Sequence, residues 1–240
     1  LLLITIFTFN LLVAQKDPIV VSGGYSKIYK GKDASFEKAV ANHVVKWHGP
    51  NQWPTFAAKV MTGPRTGQYL MGTSNHYWKD YADRKTTKAH DDEWENLVNK
   101  HVEEQGGMTF FEKQLDASYN DRSAPMWEAV AYYTKPGKRG TMLEILKKGA
   151  NANRRVRYDG STGVYSQISG GEQNGILLVI YRMDSMADMA LQSPTIKERW
   201  VKVYGAEAFD QAVKDWYDSY TKSESEILKL IPEMSTPSNN

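Results

Sequence analysis

The feature that most constrains the fold is a pattern of residues that occurs twice, 106 positions apart. Each copy has a β-rich stretch, then a short turn containing Gly-Lys, then a helix with one apolar face. The apolar positions follow the spacing i, i+3, i+4, i+7, i+8 and i+11 of a single helical face. They are Phe36, Ala39, Val40, His43, Val44 and Trp47 in the first copy, and Met142, Ile145, Leu146, Gly149, Ala150 and Asn153 in the second. A chain with such a repeat is expected to fold as two copies of one unit.

The remainder of each copy predicts two further strands, a second helix and a last strand. The β-rich runs are Ile19–Tyr29, Trp53–Thr62, Gln68–Thr73 and Met108–Leu115 in the first copy, and Met126–Thr134, Gly163–Ser169, Ile176–Arg182 and Glu226–Ile231 in the second. The second helices have apolar faces at Trp94, Leu97, Val98, His101 and Val102, and at Phe209, Ala212, Val213, Trp216 and Tyr217. The order βαββαβ places two helices on one face of a four-stranded antiparallel sheet.

This order of elements, with a helix opened by the Lys135-Pro136-Gly137-Lys138 turn, resembles the dimeric α/β-barrel superfamily of ferredoxin-like domains. Within it, the run from Tyr132 to Lys138, followed by Met142-Leu143, is similar to the opening of NIPSNAP-type domains. The first copy departs from the family by having Lys30 where the family favours Pro. The resemblance implies an α+β fold of two tandem ferredoxin-like βαββαβ units, residues 18–119 and 123–234, that pack as an intramolecular dimeric α/β barrel.

The N-terminal segment Leu1–Ala14 has no charged residue and ends in a small one. As a helix it would span roughly 21 Å, which is short of a hydrocarbon core of about 30 Å. Such a run is typical of the hydrophobic region of a signal peptide. We therefore expect cleavage after Ala14, export to the periplasm or the extracellular space, and no stable membrane span after cleavage. The alternative is a buried N-terminal strand.

Composition excludes several classes of function. The chain has no Cys, which removes disulfides, thiolate nucleophiles and thiolate metal ligands. Its net charge is only +2, so no basic field predicts binding to nucleic acid. No Gly-x-Ser-x-Gly motif or phosphate-binding loop is present in the sequence.

All five His residues lie in the first copy, and two of them occupy the same i+7 place on the two predicted apolar faces. In the resembling families the ligand pocket lies between the helices and the sheet, where these faces point. Aromatic residues of the first copy could form the walls of such a pocket. The candidate ligand-binding residues are His43, His101, Trp47, Trp94, Trp78 and Tyr81. The alternative is that the two His are hydrogen-bonded core residues and that Trp78 and Tyr81 pack on the sheet edge.

A metal site built on His43 and His101 would also need a carboxylate, and neither predicted apolar face supplies one. We therefore expect no metal ion and no cofactor. The sequence predicts that His48 lies at a helix C-terminus and that His90 lies on the surface before the second helix.

Relatives of this fold include antibiotic-biosynthesis monooxygenases, haem-degrading monooxygenases and chlorite dismutases, so the fold alone does not fix a function. Two hypotheses follow. In the first, the protein is an exported α/β-barrel protein that binds a small apolar or aromatic ligand, or serves a purely structural or assembly role. In the second, it is a cofactor-free monooxygenase-like enzyme with a pocket in the first unit. The catalytic residues, the substrate and any further oligomerisation stay open. A cavity in the first unit that is filled in the second would favour a ligand site.

Overall fold

The computed structural model describes residues 17–49, 52–170, 175–190 and 193–237. The predicted signal peptide Leu1–Ala14 lies outside the described residues. The first half contains β1 (Val20–Ile28), α1 (Asp33–Trp47), β2 (Thr55–Val60), β3 (Tyr69–His76), α2 (Trp78–Asp83), α3 (Lys88–Glu93), β4 (Val102–Gln105) and β5 (Thr109–Lys113). The second half contains β6 (Met126–Thr134), α4 (Arg139–Val156), β7 (Thr162–Ser169), β8 (Ile176–Met183), α5 (Ile196–Tyr204), α6 (Ala206–Asp218) and β9 (Tyr220–Leu230).

Eight strands form a closed antiparallel barrel in the order β3-β2-β9-β6-β8-β7-β5-β1, and pairing of β1 with β3 closes the ring. Within the first half, β1 pairs with β3 and with both β4 and β5, and β3 pairs with β2. Within the second half, β6 pairs with β8 and β9, and β8 pairs with β7. The halves meet where β2 pairs with β9 and β5 pairs with β7. The predicted α+β class and the antiparallel pairing of the strands are therefore confirmed.

Closure of the barrel gives each of its eight strands a partner on both sides, and it brings β1 and β3 into close contact. A Cβ added at Gly72 would lie only 2.0 Å from the Ser22 carbonyl oxygen, so no side chain fits there. A Cβ at Gly24 would lie 3.2 Å from the Gly107 carbonyl oxygen, where the chain passes from β4 to β5. Glycine at position 72 therefore permits the close approach of β1 and β3.

The apolar faces predicted for the first helix of each half are confirmed. Helix α1 buries Phe36, Val40, His43 and Val44 against the sheet. Helix α4 buries Met142 and Ala150, together with Ala152. Beneath α1 the core cluster includes Ala57 and Tyr69 of the sheet and Val98. Within the described residues, no helix combines the length and the apolarity needed to cross a membrane.

The second helix of the first half differs from the prediction. Helix α3 ends at Glu93 and continues as a π-helical turn, Trp94–Val98, and a 3-10 turn, Asn99–His101. The amide of Asn99 donates to the carbonyl of Trp94, five residues back, which widens the turn and changes which side chains face inward. As a result Val98 is fully buried, whereas Leu97 is 48% exposed. The second half also has an unpredicted helix, α5, before α6.

Candidate functional site

A cavity of about 450 Å³ lies between the helices of the first half and the helix-facing side of its strands. The sheet contributes Gly24, Ser26, Ala57, Met71 and Thr73 to its walls. The helical side contributes Val40, His43, Val44, His90 and Trp94. The space is mostly apolar with a few polar groups, which is the usual character of a small-molecule site.

Three imidazole rings converge at the wall of this cavity. His43 is on α1 and is 1% exposed, His48 follows the last residue of α1 and is 6% exposed, and His90 lies on α3. The Nε2 atoms of His43 and His90 are 3.3 Å apart, and those of His90 and His48 are 3.4 Å apart. The cluster therefore joins two helices and the loop after α1 at one point.

The other nitrogen of each ring faces an oxygen that can only accept. His43 Nδ1 lies 3.3 Å from Glu93 Oε1, and His90 Nδ1 lies 2.8 Å from Asp91 Oδ1. His48 Nδ1 lies 2.8 Å from the backbone carbonyl of Trp53. Because carboxylate and carbonyl oxygens accept hydrogen bonds, each Nδ1 is the donor. In the neutral rings the Nε2 lone pairs therefore point at one another.

Burial keeps at least two of these rings neutral. It lowers the pKa of His48 to about 4, well below the usual value for His. Burial also lowers the pKa of His43, and the neighbouring His90 lowers it further. At neutral pH both rings therefore present an unprotonated Nε2 atom.

Glu93 fixes the orientation of His43. Its Oε1 also accepts a hydrogen bond of 3.0 Å from Trp47 Nε1, and its Oε2 accepts one from Lys46 Nζ. The hydrogen bond from Lys46 is the main cause that lowers the pKa of Glu93, so this carboxylate is ionised at neutral pH. With both oxygens held, Glu93 keeps the His43 ring in one position and one tautomer.

The arrangement can act chemically in two ways. Neutral imidazole nitrogens can accept a proton from a bound molecule, as general bases do. They are also the commonest protein ligands of transition metals, and the three ring nitrogens lie within 4.8 Å of one another. Among the described residues, the His, Asp and Glu side chains that come close enough in groups of three or more to hold a metal ion are these three His.

Solved structures of low sequence identity share the architecture. A "putative monooxygenase" from Lactobacillus acidophilus is 8% identical with a TM-score of 0.60, over 92% of this chain and 96% of that chain. An anthrone oxidase-like protein is 10% identical with a TM-score of 0.59, over 90% and 92%. The chain has the dimeric α/β-barrel fold. The chlorite dismutase of Candidatus Nitrospira defluvii has the same fold, at 8% identity and a TM-score of 0.53, over 92% and 94%. By sequence, the chain matches no family model and no curated protein.

In this dimeric α/β-barrel fold, part of the predicted site comes together. His43 and Trp94 line the cavity, and their ring centroids are 5.0 Å apart. Trp47 lies beside the cluster, with its ring centroid 5.5 Å from that of His90. His101 is not among the lining residues, since it ends the 3-10 turn and its carbonyl accepts a hydrogen bond from the amide of Tyr29. The π turn is the reason that His101 does not share the inner face with Trp94.

Trp78 and Tyr81 lie behind the cavity wall rather than in it. The Tyr81 hydroxyl is 2.7 Å from Thr73 Oγ1, and the Tyr81 ring centroid is 5.0 Å from that of Trp53. Both Thr73 and Trp53 line the cavity. Trp78 Nε1 donates a hydrogen bond of 2.6 Å to Glu112 at the surface. Tyr81 therefore supports the wall, and Trp78 packs outside it.

The sequence interpretation missed two members of the cluster. His48 lies beyond α1, as predicted, but it is buried and turned towards His43, with ring centroids 5.2 Å apart. His90 is inside a helix that begins at Lys88 rather than on the surface before it. One local signal was present, because His90 lies four residues before Trp94 and therefore on the same helical face.

Proposed function

We propose that the protein binds a small apolar or aromatic molecule in the cavity of its first half. The observation that carries this proposal is the cavity of about 450 Å³ with an apolar wall and three convergent imidazole rings. Its volume is within the range of roughly 300–1,000 Å³ that small-molecule sites occupy. A purely structural domain would gain nothing from leaving this space open and placing three polar rings at its wall.

The difference between the two halves supports the same proposal. The position 106 residues after His43 is Gly149 on α4. A Cβ at Gly149 would lie 3.7 Å from the ring of Trp200, which is 3% exposed. The α5 side chain thus packs over the region that stays open beside α1. The second half serves as scaffold in this proposal, and the first half carries the site.

The finer organisation is also part of the proposal. We infer two ferredoxin-like units, residues 18–119 and 123–234, which arose as a tandem repeat and pack as an intramolecular dimer, the second with a NIPSNAP-like opening. The same relative strand order in both halves supports this inference. We also infer that Leu1–Ala14 is a signal peptide and that the protein is exported. Mass spectrometry of the mature N-terminus tests the cleavage, and a retained leader in a cytosolic fraction would contradict it.

The cavity can be tested with the aromatic probe 8-anilinonaphthalene-1-sulfonate and two Trp substitutions. Met71→Trp adds volume at the cavity wall, and Met61→Trp adds the same side chain at a site that is 45% exposed. We expect one probe molecule to bind per chain, Met71→Trp to weaken binding at least tenfold, and Met61→Trp to leave it unchanged. Equal binding by both folded variants would contradict the proposed site.

The second candidate is a cofactor-free monooxygenase-like reaction in the same cavity. The likeness to a "putative monooxygenase" and to an anthrone oxidase-like protein favours it. The neutral imidazoles also favour it, because they can remove a proton from a bound substrate. The test is oxidation of anthrone by dioxygen, in which one anthrone and one O₂ give one anthraquinone and one water. Turnover by chelator-treated protein that His43→Leu abolishes would support this reaction. Turnover equal to that of buffer alone would exclude it for this substrate.

A further inference from the structure

We propose that His43, His48 and His90 bind a divalent transition-metal ion of the zinc type, with one coordination position open to the cavity. This inference deepens the proposed function. It rests on that function only for the identity of the molecule that occupies the open coordination position. The proposed ligands are three imidazole nitrogens and no carboxylate. The site therefore differs from the one considered from the sequence, which would use His43 and His101 together with a carboxylate.

Two of the three nitrogen pairs have the spacing that a tetrahedral ion requires. A Zn–N distance of about 2.0–2.1 Å and a tetrahedral angle place two ligand nitrogens about 3.3–3.4 Å apart. The distances between Nε2 atoms are 3.3 Å for His43 and His90 and 3.4 Å for His90 and His48. Right-angled octahedral coordination at the same bond length would require about 2.8–3.0 Å. Two of the three pairs thus have tetrahedral ligand spacing, and the third pair, His43 and His48, lies within 4.8 Å and would have to close to that spacing around the ion.

The hydrogen bonds of the three rings also support metal binding. Each Nδ1 donates its proton to an oxygen: His43 to Glu93, His90 to Asp91 and His48 to the carbonyl of Trp53. This is the second layer of contacts that usually surrounds metal-bound His, where it fixes the tautomer and makes the ring a stronger ligand. It leaves the three Nε2 atoms at close range, where a cation can lie between them.

Charges of both signs surround the cluster: Lys46 pairs with Glu93 and Arg84 lines the cavity, whereas the carboxylates face the rings. Glu93 and Asp91 lie directly behind two of the rings, and Glu95 also lines the cavity. An imidazole-only ligand set favours zinc, copper, nickel or cobalt over calcium and magnesium, which prefer oxygen ligands. Among these, the tetrahedral spacing favours zinc.

Three protein ligands and one open position are characteristic of catalytic rather than structural zinc. All three rings line the cavity, so a molecule bound there can reach the fourth position. The ligand class that fits is an apolar or aromatic molecule bearing a carbonyl, carboxylate or phenolate oxygen. The oxygen would coordinate the ion, and the body would contact Val40, Met71 and Trp94.

Metal binding can be measured without knowing the organic ligand. The purified full chain is dialysed against a chelator and titrated with Zn²⁺ by calorimetry, and Co²⁺ is used as a spectroscopic probe. We expect one ion per chain and the intense visible absorption of tetrahedral Co²⁺. His90→Ala should reduce the affinity by more than the roughly 10–100-fold expected for the second-layer change Glu93→Gln. His101→Ala serves as the matched control and should leave the affinity unchanged.

His90 is the decisive substitution because its side chain is partly exposed, at 15%, so that its removal leaves the core intact. Circular dichroism of His90→Ala confirms the fold. Failure of Zn²⁺, Co²⁺ and Cu²⁺ to bind the wild-type protein, or equal affinity in folded His90→Ala, overturns the metal site. Probe binding in the cavity without metal binding refutes only the metal. Metal binding without probe binding refutes the proposed organic-ligand function and leaves the metal site standing.

Discussion

Replacing His43 with Leu separates a core role from a ligand role. The side chain is 1% exposed, and Leu is of similar size and wholly apolar. In a packed core, the change would remove one hydrogen bond and add apolar contact. In a ligand site, it would remove one of three nitrogens that face a common point.

In protein freed of metal, the expected change in stability is small. Loss of the hydrogen bond from His43 to Glu93 costs about 1.5–3 kcal/mol, the range for bonds to a charged group. Glu93 is not left unpaired, since Trp47 and Lys46 still bond to it. Burial of the Leu side chain contributes roughly 1.5–3 kcal/mol in the opposite direction. The free energy of unfolding should therefore change by no more than about 1.5 kcal/mol.

In the presence of metal, the wild-type protein and His43→Leu should differ in melting temperature. Zn²⁺ at 100 times its dissociation constant stabilises a one-site protein by about 2.7 kcal/mol. For a chain of this size, 1 kcal/mol raises the melting temperature by about 2–4 °C, so the wild-type protein should gain about 5–11 °C. His43→Leu should gain almost nothing, because two nitrogens remain.

The assay is differential scanning calorimetry of both proteins after chelation and after addition of Zn²⁺. His101→Leu is the matched control, because it removes an imidazole that lies outside the cavity, and it should keep the Zn²⁺ shift. The reasoning is refuted if His43→Leu keeps the full shift. It is also refuted if His43→Leu, after chelation, has a free energy of unfolding more than about 3 kcal/mol below that of the wild-type protein. The main role of His43 would then be to stabilise the core.

Two further predictions concern the scaffold. Asp121→Asn should destabilise the protein by about 3 kcal/mol, because it leaves Arg182 and Lys113 without their carboxylate partner. Burial alone would raise the pKa of Asp121, but Arg182 and Lys113 lower it below its usual value. The free energy of unfolding of the wild-type protein should therefore fall as the pH drops below about 4. Urea titrations should show a smaller fall over the same pH range in the Asn variant. Trp200→Ala should cost about 3–5 kcal/mol in thermal unfolding through the space opened over Gly149, with Zn²⁺ affinity unchanged.

The strands and the first helix of each half were predictable from sequence because their patterns are local. Strand β6 has the predicted bounds Met126–Thr134, and α1 buries four of the six residues predicted for its apolar face. The last strand, β9, begins at Tyr220, six residues before the predicted start at Glu226. That early part of β9 carries Lys and Glu side chains, and Glu224 lines the interior of the barrel. A polar barrel interior hides the hydrophobic alternation that marks a strand.

The histidine cluster was only half predictable. A helical period places residues on a face, and it placed His43 correctly on the inner face of α1. The contact of His43 with His90 joins residues 47 positions apart, and that of His90 with His48 joins residues 42 apart. Such pairings follow from how α3 docks beside α1, which no local pattern encodes. A period of 3.6 residues also does not reveal a π turn, and for this reason it predicts His101 on the inner face.

The segment after the third strand of each half explains why one half is open and the other is packed. In the second half this segment forms α5, which places Trp200 over Gly149 of α4. In the first half it forms the short helices α2 and α3, and α3 presents His90 to His43 of α1. An indole fills the space beside one helix, whereas smaller imidazoles border an open cavity beside the other. The strand order is the same in both halves, so the capacity for a ligand arises from the helical connections rather than from the barrel.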